Sequence, residues 1–206
     1  MILRAKHHFI IYPFFRWYSR WIVRRSFERV EYNGNFHEKG LPVLLISNHT
    51  TWWDGFWAMV MNLEIFRRKF HFMMMEEHLR RHWYFNYSGG FSVKKGARSA
   101  IESIAYSAEL LSNPGNLVLM FPQGELTSVH QRQPHFQKGV ERILSQLKND
   151  VQVIFVANIT DYLSHRKPSL YIYFEEFERN DFKLQAIQIA YSQFYNKCIE
   201  QQAQLS

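Results

Sequence analysis

His49 and Asp54 lie five positions apart in the segment Ser47-Asn48-His49-Thr50-Thr51-Trp52-Trp53-Asp54, directly after a short apolar run over 43–47. A carboxylate can accept a hydrogen bond from one imidazole nitrogen and fix the ring's tautomer. The other nitrogen is then left to take a proton from a hydroxyl. That is the orienting half of a Ser-His-Asp triad, with a substrate alcohol in place of the serine. Helical spacing cannot bring the two together, because residues five apart on a continuous α-helix sit about 140° apart around its axis. The chain must turn between them, with His49 on a loop and Asp54 near the start of the next helix. The same residues also fit a plain N-cap at Asp54 with His49 as a polar loop residue. The place of the pair after a buried strand favours chemistry, since ligands in open α/β sheets gather at the carboxyl ends of strands.

A second strand end adds polar groups. The apolar run at 117–120 leads into Phe121-Pro122-Gln123-Gly124-Glu125, where proline and glycine make a sharp turn. Lys94, Lys95 and Arg98 form a compact basic group suited to the phosphates of coenzyme A, an acyl-carrier protein or a phospholipid headgroup. The other reading of that group is a solvated helix start. His78 and His82 have the spacing of metal ligands on a helix, but no third ligand is in view and no metal is expected. The single cysteine, Cys198, excludes an internal disulfide and reads as structural.

The elements that must position these groups follow from short apolar runs and helical periodicity, which alternate along the chain. Strands are expected at 43–47, 70–75, 91–93, 117–121, 151–158 and 169–174. Helices are expected at 54–63, 99–111 and 136–147, and from about 182 to the end. The alternation predicts an α/β fold: one domain with a mixed, mostly parallel sheet flanked by helices. It divides as an amphipathic N-terminal helix region over 1–32 and a catalytic domain over 33–206.

That N-terminal region has its own character. Arg16, Arg20 and Arg24 are spaced by four and form one cationic stripe, with Phe14, Tyr18 and Trp21 on another face. Aromatics make up 17% of the 206 residues and the net charge is +7, so a polyanionic or interfacial partner is expected. Basic residues beside Trp and Phe suit a helix lying among anionic lipid headgroups. A helix packed on its own domain would carry the same pattern. No stretch approaches the roughly 18 uncharged apolar residues of a spanning helix, and the run at 7–15 lacks the cleavage site of a signal peptide. The expectation is a peripheral or monotopic protein. No nucleic-acid fold signature is present, and nucleic acid is not an expected partner.

Taken together, the two strand ends resemble the glycerolipid acyltransferase family, the group that includes the 1-acylglycerol-3-phosphate acyltransferases. Asn48, His49 and Asp54 match its first block, Asn-His-x4-Asp, in full. Gly90-Phe91-Ser92-Val93-Lys94-Lys95 looks like the second, with Lys95 where the family usually has arginine. Phe121, Pro122 and Gly124 match the third block, Phe-Pro-Glu-Gly-Thr-Arg. There Gln123 replaces the glutamate, Glu125 replaces the threonine, and no arginine follows. The run at 151–157 resembles the fourth block, with Gln152 in the proline position. Order and spacing agree over about 43–158.

The resemblance implies an O-acyltransferase at the cytoplasmic face of a membrane. It would move a fatty acyl group from acyl-CoA or acyl-carrier protein to a hydroxyl of a lysophospholipid or related lipid, with no further cofactor. His49 and Asp54 would be catalytic. Asn48, Lys94, Lys95, Arg98, Phe121, Pro122, Gln123, Gly124 and Glu125 would contact substrate. The departures fall on acceptor-binding positions, so an uncharged, glycosylated or lipid A-like acceptor stays open beside the lysophospholipid. A non-catalytic protein that binds membranes through its N-terminus is the reading from a different class.

Overall fold

The run at 43–47 is strand β2 (Val43–Ser47), and every residue in it is buried. Its pleat explains why the whole run is apolar: Leu44 and Ile46 belong to one core, Val43 and Leu45 to the other. A strand covered on both faces cannot show alternation. The computed structural model describes residues 2–94, 96–131, 134–178 and 182–205. The other strands are β1 (Val30–Asn33), β3 (Lys69–Met75), β4 (Gly90–Val93), β5 (Asn116–Met120), β6 (Gln152–Asp161) and β7 (Ser169–Glu176). The helices are α1 (Ile11–Ser26), α2 (Asp54–Met61), α3 (Glu76–Arg81), α4 (Ala97–Leu110), α5 (Gly139–Leu144) and α6 (Leu184–Ala203).

The seven strands form one sheet in the order β1-β7-β6-β2-β5-β3-β4. Strands β6, β2, β5, β3 and β4 run parallel to their neighbours in that series. The pair β1 and β7, parallel to each other, runs the opposite way against β6. The fold is therefore a mixed, mostly parallel α/β sheet, with β2 in the middle. Residues of α4, α5 and α6 pack on the face that holds Leu44 and Ile46, while α1 and α2 pack on the other.

This layering opens a crevice where chemistry is expected. The chain leaving β2 turns to one face through α2, and the chain leaving β5 turns to the other through α5. Ile46 pairs with Met120, after which the two strands part. Oppositely directed crossovers of this kind create the binding crevice of open α/β sheets.

Several expected elements differ in extent. The helix expected at 136–147 covers only Gly139–Leu144. The Phe136 N–H donates to Gln188 Oε1 at 2.9 Å and the Gln137 N–H to the Pro122 carbonyl at 2.8 Å. Phe136 itself is buried in the core. These bonds hold the approach to α5 outside the helix. Strand β1 lies at the sheet edge, and nothing in the four residues Val-Glu-Tyr-Asn marked it in advance. It begins before residue 33, so the sheet reaches into the first 32 residues. Segment 3–8 also packs on the domain, through the pairs Ser92 N–H to Leu3 O at 2.9 Å and Gly89 N–H to Lys6 O at 3.0 Å. Gly89 has φ +106°, and a Cβ there would stand 2.1 Å from the Phe70 carbonyl oxygen, so only glycine fits.

Helix α1 has two working faces. Ser19 and Val23 are buried, and Tyr18 and Ile22 pack against the core beside α2. Phe14, Trp17 and Trp21 remain 45–59% exposed. No described helix is long and apolar enough to cross a membrane. Cys198 is buried, and burial pushes its thiol up to about 12, which keeps it a neutral, inert group.

Candidate active site

The turn after β2 brings His49 and Asp54 together. His49 Nδ1 lies 2.9 Å from Asp54 Oδ2. The chain reverses over Thr50–Trp53, and Asp54 is the first residue of α2, preceded by Trp53 as N-cap without a side-chain cap bond. The carboxylate thus does not cap its own helix. It reaches back to the turn, where Oδ2 accepts from the N–H groups of Thr50 at 2.7 Å and Thr51 at 3.0 Å. Oδ1 accepts from the Thr51 hydroxyl at 3.2 Å. Asp54 is fully buried. Four hydrogen bonds make that burial tolerable for a carboxylate and leave it one orientation.

The His49 side chain is 26% exposed. With Nδ1 committed to a carboxylate, which can only accept, that nitrogen carries the proton and Nε2 is the basic one. The imidazole lies flat against Phe121, with ring centroids 4.0 Å apart and planes at 12°. Phe121 stands immediately after β5, so this stacked pair bridges the ends of β2 and β5. Gly124 adopts φ +74°, and its N–H donates to the Phe121 carbonyl at 3.1 Å, forming the sharp turn that Pro122 and Gly124 suggest.

The predicted substrate-contacting residues fall into three groups. Asn48 and Gln123 are buried and serve the turn from within. Asn48 Nδ2 donates to the Asn158 carbonyl at 3.0 Å, and Asn158 N–H returns a bond to Asn48 Oδ1 at 2.8 Å. Asn158 Nδ2 also reaches Ser47 Oγ at 3.1 Å. Asn48 therefore locks the end of β2 to β6. Gln123 Oε1 accepts the His49 N–H at 3.0 Å. Phe121, Pro122 and Gly124 form the opposite lip, and Glu125 beside them is exposed.

The third group is the basic one. Lys94 Nζ pairs with Glu76 at 3.1 Å, and Arg98 lies 3.6 Å from Glu102 while remaining almost fully exposed. Lys95 lies outside the described residues. Burial opposes the charge on Glu76, but the hydrogen bonds from Arg80 and Lys94 outweigh it and hold the carboxyl below its usual range. Met73 packs against the core, and His82 Nδ1 lies 2.9 Å from the Tyr84 hydroxyl. Among the described residues no cluster of three or more His, Cys, Asp or Glu could hold a metal.

Sequence reasoning missed Thr127, Asn158 and Tyr191. The Thr127 N–H donates to the His49 carbonyl at 2.9 Å. The Tyr191 hydroxyl donates to the Val156 carbonyl at 2.7 Å, and burial raises its phenol well above the usual range. No local pattern marks Thr127 and Asn158, which meet His49 and Asn48 from 78 and 110 positions away. A helix start after the turn could offer N–H groups to a developing oxyanion. Those of Thr50, Thr51, Trp53, Asp54, Phe56 and Trp57 already donate within the turn. Of the two tryptophans in the turn, Trp53 packs against the core, whereas Trp52 is 63% exposed and rests on Phe56.

A histidine–carboxylate pair in a crevice at the carboxyl end of a parallel sheet is the arrangement of a general base for group transfer. The acyltransferase family model matches residues 29–160, most of the chain, and the chain belongs to that family: it is an enzyme that transfers acyl groups. The fold is similar to that of the 1-acyl-sn-glycerophosphate (LPA) acyltransferase PlsC from Thermotoga maritima. The TM-score is 0.59 at 16% identity, over 94% of this chain and 80% of that one. No curated protein sequence matches the chain.

Proposed function

We propose that this acyltransferase moves a fatty acyl group from an acyl thioester, acyl-CoA or acyl-carrier protein, to the free hydroxyl of a lysophospholipid. The observation that carries this reading is the 2.9 Å contact between His49 Nδ1 and the buried Asp54 carboxylate, which leaves Nε2 as the base. His49 Nε2 takes the acceptor's hydroxyl proton as the oxygen attacks the thioester carbonyl. Asp54 stabilises the imidazolium that forms, and the same proton can then pass to the departing thiolate. Transfer is direct, because the buried Cys198, with its raised thiol pKa, offers no nucleophile. Lys94, Lys95 and Arg98 are the candidate holders of phosphate on donor or acceptor.

The exposed rings of α1 support a position on a membrane surface. Trp17 and Trp21 stand in a shallow groove with Arg20, Arg24 and Arg25, the pairing of aromatic and cation that an interfacial helix uses. Ring contacts run from Tyr18 to the buried Phe56 and from Phe56 to the exposed Trp52, so α1 is packed through one core ring to the turn at His49. A lipid acceptor could then meet His49 without leaving the interface.

A second acceptor class is favoured by one observation. Gln123 is committed to the His49 backbone where related enzymes place a carboxylate, which leaves room for an uncharged, glycosylated or lipid A-like acceptor. The test is to incubate wild type and His49→Ala with palmitoyl-CoA or palmitoyl-acyl-carrier protein and a panel of lysophospholipids and hydroxylated lipids, and to identify products by mass spectrometry. Product from wild type alone is expected. Equal product from both proteins, or no consumption of either donor, would sink the reading.

A further inference from the structure

His49 is held by more than Asp54. Its backbone N–H donates to Gln123 Oε1 at 3.0 Å, and Gln123 Nε2 donates to Thr127 Oγ1 at 3.0 Å. Thr127 Oγ1 lies 3.3 Å from the His49 carbonyl oxygen, which also accepts the Thr127 N–H at 2.9 Å. The groups themselves dictate the direction of each bond. A backbone N–H only donates, so the side-chain atom facing it must be the amide oxygen. The amide nitrogen then only donates, so the Thr127 hydroxyl accepts from it and gives its own proton to the His49 carbonyl. A closed ring of hydrogen bonds thus starts at the His49 N–H and ends at the His49 C=O. Gln123 is 7% exposed, so little water competes for these bonds.

We propose that Gln123 and Thr127 act as one positioning unit for His49, and that the amide at 123 is matched to the hydroxyl at 127. An amide presents an acceptor and a donor on one planar group, which is what this ring needs. A glutamate at 123 has no donor. The Thr127 proton would have to turn toward it, and the His49 carbonyl would lose that bond. A carboxylate would also set a second negative charge beside a histidine that already faces Asp54. Gln123 therefore holds the base instead of gripping the acceptor, the role its motif position suggests. This inference rests on the reading of His49 as the base.

The test is steady-state kinetics with palmitoyl-CoA and 1-oleoyl-glycerol-3-phosphate in mixed micelles, together with hydrogen exchange at the His49 amide. Gln123→Ala and Thr127→Val should each lower kcat about tenfold with both KM values within about twofold, the signature of lost positioning and not lost binding. The double variant should be no slower than the worse single one, because the pair acts as a unit. Thr127→Ser, which keeps the hydroxyl, should restore the rate. His49 amide protection should fall in Gln123→Ala and persist in Thr127→Ser. Gln123→Glu should move the acidic limb of kcat/KM to higher pH, since added negative charge favours the imidazolium.

A raised acceptor KM at unchanged kcat would make Gln123 an acceptor-binding residue and overturn the inference. So would multiplicative losses in the double variant, or Thr127→Val as fast as Thr127→Ser. An active His49→Ala enzyme removes the underlying reading. An inactive one with unaffected Gln123 and Thr127 variants removes only the clamp.

Discussion

Two strand ends on the same edge of the sheet carry charged residues, and they are built in opposite ways. At the end of β2, Asp54 is fully buried and its oxygens are taken up by His49, Thr50 and Thr51. Near the end of β4, Lys94 and Arg98 are at least half exposed and paired with Glu76 and Glu102. The first arrangement is rigid, because displacing Asp54 would strand buried donors, each worth about 1–3 kcal/mol. The second is exchangeable: the exposed Arg98–Glu102 pair contributes only about 0–1 kcal/mol, and the buried Glu76 keeps its bonds from Arg80 and Ser92 if Lys94 turns to a phosphate. Proton transfer demands fixed geometry, whereas anion capture demands cations that can be given up. In the proposed function these demands fall to two different strand ends, with β5 and β3 lying between β2 and β4.

The largest expected effect breaks the rigid end. Asp54→Asn should retain the fold yet lower kcat by about three to four orders of magnitude, as wrong-tautomer variants of histidine–carboxylate pairs do. Thiol release from acyl-CoA measures it. A loss of less than tenfold would mean that Asp54 only supports the turn.

Next in size is a pH effect on the β4 side. His7 and His71 face each other edge to face at 4.8 Å, and Tyr12 flanks His7. Burial, then the neighbouring His7, lowers His71 to about 4, and burial likewise lowers His7. Unfolded chains bind the proton below about 6.5, but folded His71 does so only near 4, so the unfolded state holds more protons between those values. Stability should therefore fall as pH drops through that window, by up to about 3 kcal/mol for His71. Denaturant titrations at pH 7 and pH 4.5 measure the loss, and His71→Phe should flatten it. Hydrogen exchange should show segment 3–8 loosening while the turn at His49 stays protected.

The exchangeable end predicts smaller, separable changes. Lys94→Ala with Arg98→Ala should raise KM for a phosphomonoester acceptor about tenfold while kcat holds, consistent with two lost charge-assisted contacts. If kcat falls instead, the division between the two strand ends fails. Smallest is the membrane contact. Trp17→Ala with Trp21→Ala should weaken binding to vesicles containing phosphatidylglycerol about threefold to tenfold at high salt, since aromatic insertion survives screening. Co-sedimentation reports it, and unchanged binding would assign the exposed rings another role.

Much of the site was legible because its chemistry is local. His49 and Asp54 sit in one short turn, and their pairing follows from residue types, a strand before them and a helix after. The strands at 43–47 and 169–174 were readable as continuous apolar runs, and the helix at 99–111 from apolar periodicity, for the same reason. The limits of the helix at 139–144 were not, since Gln188 and Pro122 compete for the backbone that would have extended it. Strand β1 escaped notice because its short sequence acquires meaning only beside β7.

The role of Gln123 shows the boundary between the two kinds of information. As a letter in a motif it stood for acceptor binding, yet its amide closes on the His49 backbone 74 positions away. Asn48 likewise belongs to the recognised block but bonds to Asn158, 110 positions along the chain. Sequence determined what depends on neighbours along the chain: the order of the strands and helices with strong apolar patterns, the histidine and carboxylate, and the basic, aromatic first helix. Tertiary structure decided which polar groups meet. Hydrogen bonds act over about 3 Å, and no sequence spacing reports a distance across a folded sheet.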